Sequence, residues 1–261
     1  MDCRNKSGND KCGVFGGKDR QSDQYGQMTA KPLLLAIPAL CCDGDLYAEI
    51  TEGLVDLVSL RTVIPVAATL AECVSQVMAQ SEEPAFVMGT SFGGHVAREA
   101  ALLAPERVRG VWIMGAGAGA PADPAGGHQR GELLRGGKAE EVYRRFFETV
   151  THLPGPRGEA AAAKFLEMAR RCDPERVAVQ NDALTARPDR WNDLARIAVP
   201  ALLLWGRHDQ FSPAADGLRM AGLMPQARFV EVADCGHLPS LEAPRETVDA
   251  ARQWLPSALA G

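Results

Sequence analysis

The stretch Ala85-Phe86-Val87-Met88-Gly89-Thr90-Ser91-Phe92-Gly93-Gly94 decides the fold. Residues 85–88 form an apolar run of the kind that makes a short buried strand, and residues 95–103 carry a helical pattern. Between them lies Gly-x-Ser-x-Gly. A strand that turns this sharply into a helix leaves no room for β-carbons beside the serine and forces it into a strained backbone conformation. The strain lifts Ser91 Oγ clear of the strand. The helix behind it brings backbone N–H groups and a positive dipole end to the same place, so one turn supplies a nucleophile and a means of stabilising an oxyanion.

Working outward, residues 31–37 are a continuous apolar run ending at Pro38, as expected of a strand buried on both faces. A loop follows through Gly44. A second strand is predicted near 57–62, a helix over 69–80, the strand before Ser91, the helix after it and a further strand over 108–114. This alternation implies a mostly parallel central sheet flanked by helices. It stops at Gly115. From 115 to 198 the sequence has glycine and proline clusters and helical patterns near 139–150, 159–171, 175–186 and 189–196, without a strand, which predicts an inserted helical cap. The parallel pattern resumes at 199–205, continues with a strand over 228–232 and closes with a helix over 244–255. The expected organisation is a tail over 1–30, a core over 31–114 and 199–261, and a cap over 115–198. The tail is polar and glycine-rich, lacks the apolar stretch of a signal peptide and reads as disordered. Met28 is a plausible alternative start.

A chain of 261 residues can bury a sizeable core. Its net charge of -5 and scattered arginines argue against a nucleic-acid partner. Its apolar runs are too short to cross a bilayer, so no membrane partner is expected. The 7 cysteines form no CxxC pair and have no histidines at metal-ligand spacing, so neither zinc nor any other metal is expected. They read as reduced thiols in a cytoplasmic protein, and Cys41-Cys42 as two separate thiols.

Two further segments carry chemistry. Gly206-Arg207-His208-Asp209 follows the strand over 201–205, and Asp234-Cys235-Gly236-His237 follows the next strand. In a parallel sheet all carboxyl ends lie on one side, where such folds keep their ligands. Ser91, Asp209 and His237 therefore converge by topology, with Asp234 a rival acid less favoured by position. The chain order Ser, Asp, His and the segments Leu-Leu-Leu-Ala-Ile-Pro-Ala-Leu at 33–40, Gly-Thr-Ser-Phe-Gly-Gly at 89–94, Trp-Gly-Arg-His-Asp at 205–209 and Asp-Cys-Gly-His-Leu-Pro-Ser-Leu-Glu-Ala-Pro at 234–244 resemble the α/β-hydrolase superfamily. The resemblance runs from about residue 32 to the C-terminus.

A serine hydroxyl needs a base to act as a nucleophile, which His237 supplies, while Asp209 holds the imidazole tautomer. Phe92 N–H, directly after the serine, is one expected oxyanion donor, and the resemblance places the second at Leu40 N–H. Relatives often have a glycine where Ala39 stands. The resemblance implies a serine hydrolase acting on a small ester or related acyl compound such as a lactone, with a small-molecule acyl substrate and no cofactor. C–C bond, thioester, amide or perhydrolase chemistry would use the same triad. Carbon–carbon hydrolases of the ring-cleavage type usually place Trp after the catalytic histidine, where this chain has Leu238. A ligand sensor that retains the triad is the reading from another class. His95 is assigned to helix packing, and His128, His152 and His208 receive no chemistry. Gly115-Ala116-Gly117-Ala118-Gly119 reads as the beginning of the cap rather than a dinucleotide loop. Phe146, Phe147, Phe165 and Met168 read as buried faces of cap helices that could also line an acyl pocket. Oligomeric state is not legible.

Overall fold

The computed structural model describes residues 31–260, so the expected tail and the alternative start at Met28 lie outside the described residues. Six strands form one sheet: β1 (Leu33–Ile37), β2 (Ser59–Thr62), β3 (Ala85–Thr90), β4 (Val108–Met114), β5 (Ala201–Gly206) and β6 (Ala227–Val232). Their order is β2-β1-β3-β4-β5-β6 and every neighbouring pair is parallel. The helices are α1 (Ala48–Leu54), α2 (Leu70–Met78), α3 (Phe92–Leu103), α4 (Pro124–Arg135), α5 (Ala139–Phe147), α6 (Pro156–Arg171), α7 (Pro174–Thr185), α8 (Ala214–Leu223), α9 (Pro239–Glu242) and α10 (Pro244–Ala260). The chain leaves β1 toward β2 on one side and then crosses to β3 on the other. The carboxyl ends of β1 and β3 therefore flank a topological switch point, where doubly wound sheets bind ligands.

Continuous apolar runs became central strands because both faces of a parallel sheet are covered by helices. All six residues of β3 and all six of β5 are buried. Phe86 meets Trp254 of α10 edge-on, with ring centroids 5.9 Å apart. Thr69 caps α2 by accepting from Glu72 N–H, which sets the start of that helix. The helix after Ser91 begins at Phe92 rather than three residues later, because the serine itself is the turn.

Between β4 and β5 lie α4, α5, α6 and α7. Several elements depart from expectation. The helix expected over 189–196 is a loop with one short 3₁₀ turn, Leu194–Arg196. Other bonds win there: Asp189 Oδ1 accepts locally from Trp191 N–H, and Arg190 N–H donates to the distant Ala118 O. In turn, α4 forms over a stretch whose glycines 126, 127 and 131 obscure any helical pattern. Its signal was the Asp123-Pro124 start, where Asp123 Oδ1 accepts from Gly126 N–H at 2.9 Å. The helices α1 and α8 were likewise not anticipated.

Leu203, fully buried at the middle of β5, sits where nothing can collapse to fill a gap. Leu203→Ala is expected to cost about 3 kcal/mol of stability. Urea unfolding followed by circular dichroism measures it, and a loss below about 1 kcal/mol would contradict the close packing described.

Candidate active site

Ser91 has φ 54° and ψ −114°, a left-handed conformation rare for a side-chain-bearing residue. Its N–H donates to Met114 O at 2.8 Å, which fixes the turn against the end of β4. The flanking glycines are required by crowding. A β-carbon on Gly89 would collide with the backbone of Gly93, and one on Gly93 with the carbonyl of Ile37. Tyr47 braces the same region from below, its hydroxyl bonding Ile37 O at 2.8 Å and Thr90 Oγ1 at 3.0 Å. The ends of β1 and β3 are thereby held at a fixed separation.

The loop after β1 turns back between Ala39 and Cys42, with Cys42 N–H donating to Ala39 O at 3.1 Å. The left-handed residue of this turn is Cys41, at φ 64°, the third position, as in a type II turn. Ala39 lies outside that region, so the β-carbon where relatives often have a glycine is accommodated. Leu40 lines the cavity. Phe92 opens α3, so its N–H belongs to the first turn, where no acceptor within the helix exists.

On the other side of the cavity, His237 Nδ1 lies 2.7 Å from Asp209 Oδ2. Asp209 Oδ1 accepts from Phe211 N–H at 2.8 Å and Ser212 N–H at 2.9 Å, so both carboxylate oxygens are used. Both side chains are buried. The rival Asp234 is exposed and does not bond His237. Gly115, at the end of β4 with φ 59°, lies against this pair, and a β-carbon there would meet His237 Nδ1 at 2.9 Å and Asp209 Oδ2 at 3.0 Å. The glycine-rich segment is thus part of the site floor, a role its sequence did not reveal.

A cavity of about 430 Å³ opens over these groups, lined by Ser91 and His237 and by Leu40, His95, Arg130 and Arg187 among others. His95 faces the cavity as well as packing in α3, which corrects its assignment to helix packing alone. Phe146 and Phe165 line it, whereas Phe147 and Met168 do not. Arg130 donates from Nε to Asn181 Oδ1 at 2.6 Å, and Arg187 to the carbonyls of Gly119 and Leu184. Neither has a carboxylate within salt-bridge distance among the described residues. Burial lowers the pKa of both guanidiniums.

Glu242 was not singled out from sequence, yet its buried carboxylate organises the histidine loop. It accepts from Gly236 N–H at 2.9 Å and Leu238 N–H at 3.2 Å, on either side of His237, and from His152 N–H at 2.8 Å. His237 N–H in turn donates to Val150 O at 3.1 Å. His152 and His208, given no chemistry from spacing, stack with ring centroids 3.8 Å apart and planes at 10°. Their nitrogens and an Asp234 oxygen lie within 4.8 Å of one another. The lone pairs of parallel rings do not converge on a point, so this arrangement does not make the tetrahedral geometry zinc prefers. Cys41, Cys42, Cys73, Cys172 and Cys235 are all free thiols. Among the described residues no helix is long and apolar enough to cross a membrane.

The fold and this constellation define an α/β hydrolase. The sequence matches the alpha/beta hydrolase family over residues 35–250, and the chain belongs to that family. Among curated proteins it is 33% identical over 165 residues to a 2-hydroxy-6-oxononadienedioate/2-hydroxy-6-oxononatrienedioate hydrolase of Paraburkholderia phymatum, a match covering 59% of this chain and 56% of that protein. The chain thus spans little more than half the length of the curated relatives it matches. It is 26% identical over 178 residues to Lipase 1 of Psychrobacter immobilis, across 62% of this chain and 53% of that protein. A thermophilic esterase from Thermogutta terrifontis shares the fold with a TM-score of 0.80 and 22% identity, over 88% of this chain and 91% of that one. The enol-lactonase from Burkholderia xenovorans LB400 does so with a TM-score of 0.79 and 18% identity, over 88% and 93%.

Two outcomes test the site's construction. Gly115→Ala is expected to lower stability by about 1 to 3 kcal/mol through its left-handed backbone and to perturb the His237–Asp209 contact, visible as a changed Nδ1–H resonance. Burial raises the Glu242 pKa against the opposing pull of its three backbone N–H partners. A raised carboxyl pKa means that folding favours the protonated form, so its contribution is greatest below the ordinary value and declines as pH rises through the raised one. Wild type should therefore lose stability relative to Glu242→Gln as pH rises above the ordinary carboxylate value. A pH-independent difference in denaturant midpoint would contradict this.

Proposed function

We propose that this chain is a serine hydrolase that cleaves a small carboxylic ester or a related acyl compound, lactones included, through an acyl-enzyme intermediate. The observation that carries the reading is the strained Ser91 at the edge of a cavity also lined by His237, whose Nδ1 is bonded to the buried Asp209 behind it. With Nδ1–H donating to Asp209, His237 keeps its Nε2 lone pair free to take the serine proton and later return it to the leaving group. Asp209, fixed by two backbone N–H groups, stabilises the imidazolium as it forms. The N–H groups of Leu40 and Phe92 receive the oxyanion, a role whose loss costs roughly 3 to 4 kcal/mol per donor in comparable sites. The helices between β4 and β5 act as a cap that sets substrate shape.

Hydrolysis of a carbon–carbon bond is the second reading. It is favoured by the two cavity arginines without carboxylate partners and by the likeness to hydrolases whose names denote dicarboxylate substrates. A substrate carboxylate would neutralise Arg130 or Arg187 inside a cavity where an unpaired charge is costly. The Leu238 that stands where such enzymes usually have Trp weighs against it.

Hydrolysis of p-nitrophenyl acetate, butyrate and octanoate tests the first reading. Ser91→Ala and His237→Ala should each lower kcat by about 10⁴-fold or more, and Asp209→Asn by about 10⁴-fold. Turnover that survives in the Ser91 variant would remove the serine mechanism. Tight retention of a ligand without turnover would move the chain to the sensor class.

A further inference from the structure

The reaction outlined above leaves His95 unused, although it stands one turn beyond Ser91 on α3 and lines the same cavity with 7% of its surface exposed. Its Nδ1 lies 3.1 Å from Arg98 Nη2. A guanidinium can only donate, so Nδ1 must accept, and the single proton of the neutral ring stays on Nε2. Arg98 has little freedom to do otherwise. It is completely buried, its Nη1 donates to Gly117 O at 2.7 Å, and it lies 3.6 Å from Glu99, which Arg190 grips at 2.8 Å.

A second proton on His95 would place an imidazolium against that cation. The other charged or titratable groups around the ring are Arg187, beyond α7, and His237 with Asp209 on the core loops. Asp209 and Glu99 already have partners of their own. Burial, then the positive charges of Arg98 and Arg187, hold the His95 pKa well below the ordinary histidine value. The ring is thus kept neutral by three elements at once.

We propose that His95 is a fixed neutral Nε2–H donor that binds an oxygen of the substrate other than that of the scissile carbonyl, so that the cavity selects acyl compounds carrying an additional keto or carboxylate oxygen. The tautomer follows from Arg98 alone, whereas the selection of substrate rests on the hydrolase reading given above. His95 acts by positioning and polarising that oxygen. It does not deliver its proton, because a neutral imidazole N–H is too weak an acid near neutral pH.

Long-range proton–nitrogen correlation spectra of labelled full-length protein, with His95→Gln to assign the signals, read the tautomer directly. The expected result is an Nε2–H ring whose shifts stay constant from about pH 5 to about pH 8. A ring that titrates in that range, or that carries its proton on Nδ1, overturns the proposal. The second arm compares hydrolysis of methyl levulinate and methyl pentanoate, which differ by the keto oxygen. Wild type should favour the levulinate. His95→Phe, a ring without a donor, should reduce that kcat/KM ratio by about 5- to 10-fold. His95→Gln, whose amide can accept from Arg98 and donate onward, should restore part of it. An unchanged ratio in His95→Phe overturns the proposal. Equal hydrolysis by wild type and Ser91→Ala would sink the hydrolase reading alone. The donor role is then decided by titrating levulinate against the His95 Nε2–H resonance, where a saturable shift supports it and an unmoved signal overturns it.

Discussion

Everything near the cavity depends on a steric constraint, the near-contact of the β3–α3 turn with the ends of its neighbouring strands. Gly89 and Gly93 let the backbone pass where β-carbons would collide with Gly93 and with the Ile37 carbonyl. That approach holds Ser91 at positive φ, places the first turn of α3 under the cavity and sets where the loop after β1 can return. A strained residue persists only when its surroundings over-determine it. Here the Ser91 N–H bond to Met114 O and the Tyr47 bridge between β1 and β3 do so.

Much of this was legible in the sequence because the signals were local and repeated. Six predicted strands, several of them separated by helical patterns, imply a parallel sheet, and each motif residue follows a strand, so the register of β3, β5 and β6 carried Ser91, Asp209 and His237 to one edge. Other features were hidden because they are made across long sequence separations. Glu242 looks like an ordinary residue of a helix start until its carboxylate is seen to accept from the loop at 236–238 and from His152. Gly115 matters through contacts with residues about ninety positions and more away. His152 and His208 meet only in the fold.

Secondary structure was misread where side chains compete with the backbone. The 189–196 stretch has helix-forming residues, but Asp189 and Arg190 spend their hydrogen bonds on a turn and on Ala118 and Glu99. The reverse holds in α4, where three glycines lower helix propensity and the helix forms regardless. It packs on α7, and Asn181 Nδ2 donates to Gly127 O at 2.9 Å across that contact. The strain in the loop after β1 shows the same limit on a smaller scale, since the left-handed residue is Cys41 rather than the position where relatives often carry glycine.

The segment joining α5 to α6 is fastened to the histidine loop at both polar groups, through Val150 O to His237 N–H and through His152 N–H to Glu242. A pull on this junction is thus transmitted to the loop that holds His237. The far side is moored as well, since Gln180 Nε2 of α7 donates to Pro65 O at 2.9 Å and Arg176 Nη2 to Cys42 O at 3.3 Å, so the helices between β4 and β5 hang from the core by two separate sets of stays.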